Sequence, residues 1–89
     1  MNFSNVSKEQ KLEIYNKRIN IIEHEILSRV LEIGMDPDFF DPNEFINSFE
    51  SIDKSVDNYN IQTFINDSVL SYLSIKNKIN LLEKEEDGI

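Results

Sequence analysis

The stretch GMDPDFFDPNEF, residues 34–45, decides how this chain folds, because it holds one strong stop signal and two strong start signals for helices. Gly34 offers the left-handed backbone that closes many helices. Asp36-Pro37 and Asp41-Pro42 each set a capping carboxylate before a proline suited to a first helical position, and Glu44 completes an Asp-x-x-Glu box for the second pair. The first pair predicts a turn and the second a true helix. Between them stand Phe39 and Phe40, which cannot both point the same way in a regular element.

Working upstream, Ser7 followed by Gln10 forms a capping-box pattern and predicts a helix start. Leu12, Tyr15, Ile19, Ile22, Ile26 and Ile33 then recur at three- and four-residue steps, the spacing of a heptad seam, with Arg29 interrupting one inner position. Ile14, Ile21, Leu27, Val30 and Leu31 widen the apolar surface. One long helix over about 7–33 is expected. Downstream, Phe45, Phe49, Ile52 and Val56 share a face and predict a short helix over about 42–55. The run DNYN, residues 57–60, has the composition of a break. A second long helix is expected over about 61–85, with Ile61, Ile65, Tyr72, Ile75, Ile79 and Leu82 in heptad spacing and Ser68 as the weak position.

Ile is a strand former, but clean apolar–polar alternation is nowhere sustained, and two glycines are too few to turn a small barrel. The expected fold is therefore all-α: two long antiparallel helices with a short helix between them, a three-helix bundle or helical hairpin. Eighty-nine residues make one helical domain, with residues 1–6 and 86–89 expected to fray. A short middle helix cannot cover both long seams, so a homo-oligomer or an obligate partner is expected, and Leu12, Tyr15, Ile19, Ile22, Ile26, Tyr72 and Ile79 are the candidate oligomer face.

Composition narrows the function classes. The chain has no cysteine, which removes disulfides, thiol nucleophiles and Cys-based zinc sites and makes a reducing cytoplasm the default. The start MNFSNVSKEQ lacks a signal-peptide pattern, and no apolar run approaches the roughly 20 residues of a membrane span, so no membrane association is expected. Thirteen Ile and eleven Asn against no Ala indicate AT-rich coding, which fits bacteria, their phages and mobile elements.

The net charge of −8 is unevenly spread: residues 1–34 balance five acids with five bases, whereas residues 35–60 hold seven acids and only Lys54. Affinity for phosphate backbones comes from clustered Lys and Arg, so direct nucleic-acid binding is not expected, and mimicry of nucleic acid by the carboxylates is a minor alternative at this modest charge.

No catalytic constellation appears, and the chain is expected not to be an enzyme. His24 is the sole histidine and stands opposite the seam between Glu23 and Glu25, where an exposed helical residue is the simplest account. Asp36, Asp38 and Asp41 lack the spacing, the glycine and the final Glu of a calcium loop, and capping already explains two of them. Two glycines leave no phosphate-binding loop. No metal or other cofactor is expected.

The positive signal is aromatic: five of the six phenylalanines lie within residues 39–64, in or just after the acidic middle. Aromatics ringed by acids make a small hot spot with a polar rim. Phe39, Phe40, Asp36, Asp38 and Asp41 are therefore the candidate partner-binding residues, suited to another protein with a basic surface. The function expected is that of a small acidic helical adaptor or inhibitor, encoded by a phage or mobile element and acting in its host's cytoplasm. The seamed helix ending in LEIGM, a short loop and the capped DPNEFINSFESI together resemble small phage tail-fibre assembly chaperones over the first half of the chain. That resemblance implies the alternative, an oligomeric helical assembly chaperone or minor virion component, although the second long helix departs from the family's pattern.

Overall fold

The computed structural model describes residues 6–84; the ends expected to fray lie outside the described residues, apart from Val6, as does residue 85. Three α-helices follow one another: α1 (Lys8–Glu32), α2 (Pro42–Phe49) and α3 (Tyr59–Glu83), with a single 310 turn at Pro37–Phe39. There is no strand among the described residues. The fold is all-α, with α1 and α3 packed along each other and α2 between them in sequence.

The caps form as their residues dictate. Ser7 Oγ accepts from Gln10 N–H at 3.1 Å while Gln10 Oε1 accepts from Ser7 N–H at 2.9 Å, so the first turn of α1 is closed reciprocally. At the other end Met35 N–H donates to Val30 O and Gly34 N–H to Leu31 O, both at 3.0 Å, the paired bonds of a Schellman motif. Gly34 takes φ +83° there, and a Cβ at this position would meet no other atom within 4 Å. Gly34→Ala should therefore cost only the left-handed backbone strain, about 1–2 kcal/mol, read as a lower urea midpoint with an unchanged slope.

After this stop, Asp36 Oδ1 accepts from Asp38 N–H at 2.9 Å and initiates only the 310 turn. Asp41 Oδ1 accepts from Asn43 N–H at 2.9 Å and Glu44 N–H at 3.2 Å and starts α2. That helix ends at Phe49, earlier than its apolar spacing predicts. The cause lies at Asp53, whose Oδ1 accepts from both the backbone N–H of Ser55 at 2.9 Å and its hydroxyl at 2.7 Å. This local Asx-type turn competes with helix continuation. The same two bonds hold the Asp53 carboxyl below its usual pKa. Val56, placed on the helix face by its spacing, instead lies exposed in the connecting turns.

The third helix starts at Tyr59, two residues before the expected position, and Asn58 bonds forward through its side chain to Gln62 Nε2 at 2.7 Å rather than capping the backbone.

The long helices run antiparallel. The Arg29 guanidinium, late in α1, lies 5.3 Å from the ring centre of Phe64, early in α3, and Arg18, early in α1, shares a cleft with Ser74 and Lys78, late in α3. The hairpin is elongated, 52 × 24 × 24 Å, with a radius of gyration of 16.3 Å where a compact chain of this size would have about 12 Å.

The core follows the seams with one systematic change. Ile19, Ile22, Ile26, Ile65, Ile79 and Leu82 are buried, but Val30 and Val69 are also fully enclosed, next to the polar interruptions Arg29 and Ser68. A straight α-helix drifts against a strict seven-residue repeat. The burial of Val30 and Val69 in place of Arg29 and Ser68 is the direction of that drift. Arg29 turns outward over Phe64 and pairs with Glu32 at 2.6 Å.

Candidate interaction surface

The distinctive surface lies at the end of the hairpin where the chain reverses. Phe40, in extended backbone after the 310 turn, packs against the central cluster of Ile22, Ile26, Val30, Phe45, Ile65 and Val69. Its ring begins an aromatic ladder. It is tilted against Phe45 at 5.6 Å between centroids, Phe45 stacks with Phe49 at 6.1 Å, and Phe49 stacks with Tyr59 at 5.8 Å. Each such pair adds roughly 0.5–1.5 kcal/mol beyond its burial. The ladder fastens α2 to the start of α3. Pro37, Phe40 and Pro42 also line a second cleft together with Ile26, Leu27 and Tyr72 of the long helices.

Phe39 goes the other way. It ends the 310 turn with 85% of its surface exposed, the most exposed large apolar side chain among those described. Beside it opens an apolar groove of about 320 Å³, walled by Met35, Phe40, Phe45, Phe49 and Ile52, with Asp41 and Glu44 at its edge and Gln62 reaching in from α3. Asp36 caps the 310 turn that carries Phe39, and Asp38 lies within it. The five residues expected from sequence to meet a partner thus fall in one region. Of the two rings, Phe39 faces outward and Phe40 inward.

The sequence pattern did not single out Met35, Phe45, Phe49, Ile52 or Gln62 for this surface. Phe45 and Phe49 read as core, and both line the groove as well. Their spacing with Ser48 and Ile52 was the available signal. Met35 and Gln62 come from different segments and meet only through the tertiary fold.

The candidate oligomer face lies along the two long helices. Ile19, Ile22, Ile26 and Ile79 are buried within this one chain, and Leu12, Tyr15 and Tyr72 are half-buried. Within the chain the two seams face each other. The apolar residues left outside are others, and they are spread out. Ile14 and Ile21 stand two turns, about 10 Å, apart on α1, while Leu70 and Leu81 stand about 16 Å apart on α3. Single exposed apolar residues are ordinary on protein surfaces. The tip combines a cavity, an exposed ring and a one-signed charge.

Among the described residues no group of three His, Asp or Glu side chains could hold a metal ion, and no helix is long and apolar enough to cross a membrane. His24 is exposed on α1.

Fold and surface together define a class: a helical hairpin with an acid-edged, aromatic-lined groove near its turn. Comparison with known proteins adds no relative, since no family model, curated protein or solved structure matches the chain.

Proposed function

We propose that this chain is a non-enzymatic protein-binding protein, an adaptor or inhibitor that acts in the cytoplasm by docking its hairpin tip on another protein. The observation that carries this reading is Phe39, held 85% exposed at the edge of an apolar groove. Exposing a phenylalanine forgoes about 1.5–3 kcal/mol of burial. Interface hot spots are aromatic anchors of this kind, ringed by polar groups that exclude water once the partner is seated. Seven acids against one base in residues 35–60 supply the ring and favour a basic partner. The alternative, an oligomeric helical assembly chaperone or minor virion component, calls for a stable oligomer of the chain alone, and the burial of Ile19, Ile22, Ile26 and Ile79 within one chain favours the binding reading over it.

The test is capture of partners from the native host by the tagged protein at low and high salt. A specific prey should be retained at low salt and its affinity reduced about tenfold at high salt, because exposed charges are screened over about 3 Å at 1 M. A prey whose affinity ignores salt would remove the acidic tip from the interface.

A further inference from the structure

The shape of the tip bears on what kind of partner it accepts. The groove-lining residues Glu44, Phe45, Ser48 and Phe49 fall at the three- and four-residue steps of one face of α2, with the cap Asp41 before it and Ile52 beyond its end, so one wall of the groove runs along α2. Met35 and Phe39, from the segment before α2, line it as well. Eight residues of α2 give a trough about 12 Å long, a little over two helical turns. Its volume of about 320 Å³ is roughly twice that of the ~150 Å³ cavity that takes one benzene. The trough therefore suits two ring- or leucine-sized side chains.

Main-chain pairing is not on offer, because the described residues contain no strand whose edge an incoming segment could extend. Recognition has to come from side chains projecting from a partner with its own backbone bonds satisfied. A helix meets that requirement, and side chains one turn apart on its face match the spacing along α2.

Charge decides between the available helices. A second copy would bring another tip with seven acids and one base against the first, and like charges brought together at an interface oppose association. Asp41 and Glu44 line the groove itself, and Asp36 and Asp38 stand beside it. Carboxylates so placed meet Lys or Arg on the flanks of an incoming helix while its apolar face fills the trough.

We infer that the tip groove receives a short amphipathic helix of another protein, carrying two bulky apolar side chains one turn apart with Lys or Arg beside them. This rests on the protein-binding role proposed above and specifies its partner. Phe39 closes over the apolar face of the bound helix from the rim.

The experiment uses the full chain and three fluorescent model peptides of about fourteen residues, close to four helical turns. The first carries two leucines one turn apart, flanked by lysines. The second has glutamate for every lysine, and the third has alanine for both leucines. The first should bind at least about tenfold more tightly than either control, weaken with salt, and shift the amide resonances of Met35, Phe45, Phe49 and Ile52. Equal binding of the glutamate peptide, no binding of the lysine peptide, or shifts confined to the far end of the hairpin would overturn the inference. A dimer in sedimentation that Phe39→Ala abolishes would identify a second copy as the occupant and overturn it equally. If a cellular partner captured through Phe39 docks with a non-helical surface, the helix inference falls while the binding role stands. If the tip engages neither peptide nor any cellular protein, both fall.

Discussion

Ile65→Ala is expected to lower the free energy of unfolding by about 3–4 kcal/mol. Ile65 has no exposed surface and belongs to the cluster that joins both long helices to Phe45. Truncation removes buried methyl and methylene groups and leaves a cavity that helices held on several sides cannot fully collapse. A chain of this length has roughly 4–13 kcal/mol of stability in all. The loss should thus lower the melting temperature by about 15–25 °C. Leu81→Ala, at a position 59% exposed, should change stability by no more than about 0.5 kcal/mol. Urea denaturation of the two variants beside the parent measures the contrast. Equal, small losses at both positions would mean that α1 and α3 do not pack as described.

The adjacent phenylalanines give the second large contrast, one that separates stability from binding. Phe40→Ala removes a ring that packs on the core and meets Phe45, and should cost about 2 kcal/mol of stability. Phe39→Ala should leave the melting temperature nearly unchanged, because little of that ring is buried. Its effect should fall on the partner, with affinity lower by about 2 kcal/mol, close to thirtyfold. Thermal melting and titration calorimetry with the captured partner read the two quantities separately. A folded Phe39→Ala variant with parental affinity would exclude Phe39 as an anchor.

Most of the helix limits were legible because local chemistry sets them. Ser7 with Gln10, Gly34 and Asp41-Pro42 act within a few residues, and each makes the bonds its position implies. The early end of α2 was less visible. The apolar spacing through Val56 argued for continuation, while the Asp53–Ser55 turn that halts it is worth only two hydrogen bonds.

Register was legible only to within one residue. A heptad reading assigns Arg29 and Ser68 to inner positions, whereas the fold buries Val30 and Val69. Sequence spacing alone does not tell a 3.5-residue period from a 3.6-residue one over three turns. The internal pairing of the seams was hidden for a related reason: a seam looks the same in sequence whether its mate is another copy or the next long helix.

The candidate surface divides in the same way. Its acids and both rings were recognisable from composition and order. Which ring faces outward depends on the 310 turn placing Phe39 before an extended Phe40, and the groove exists only because Met35, α2 and Gln62 are brought together.

The most direct measurement of the central claim is an amide chemical-shift map of the full chain with and without its captured partner. Perturbations should concentrate at residues 34–52 and at Gln62, around the groove and Phe39. Perturbations running instead along Ile14, Ile21, Leu70 and Leu81, with the tip unchanged, would place the interface on the outer faces of the long helices and contradict binding through the tip.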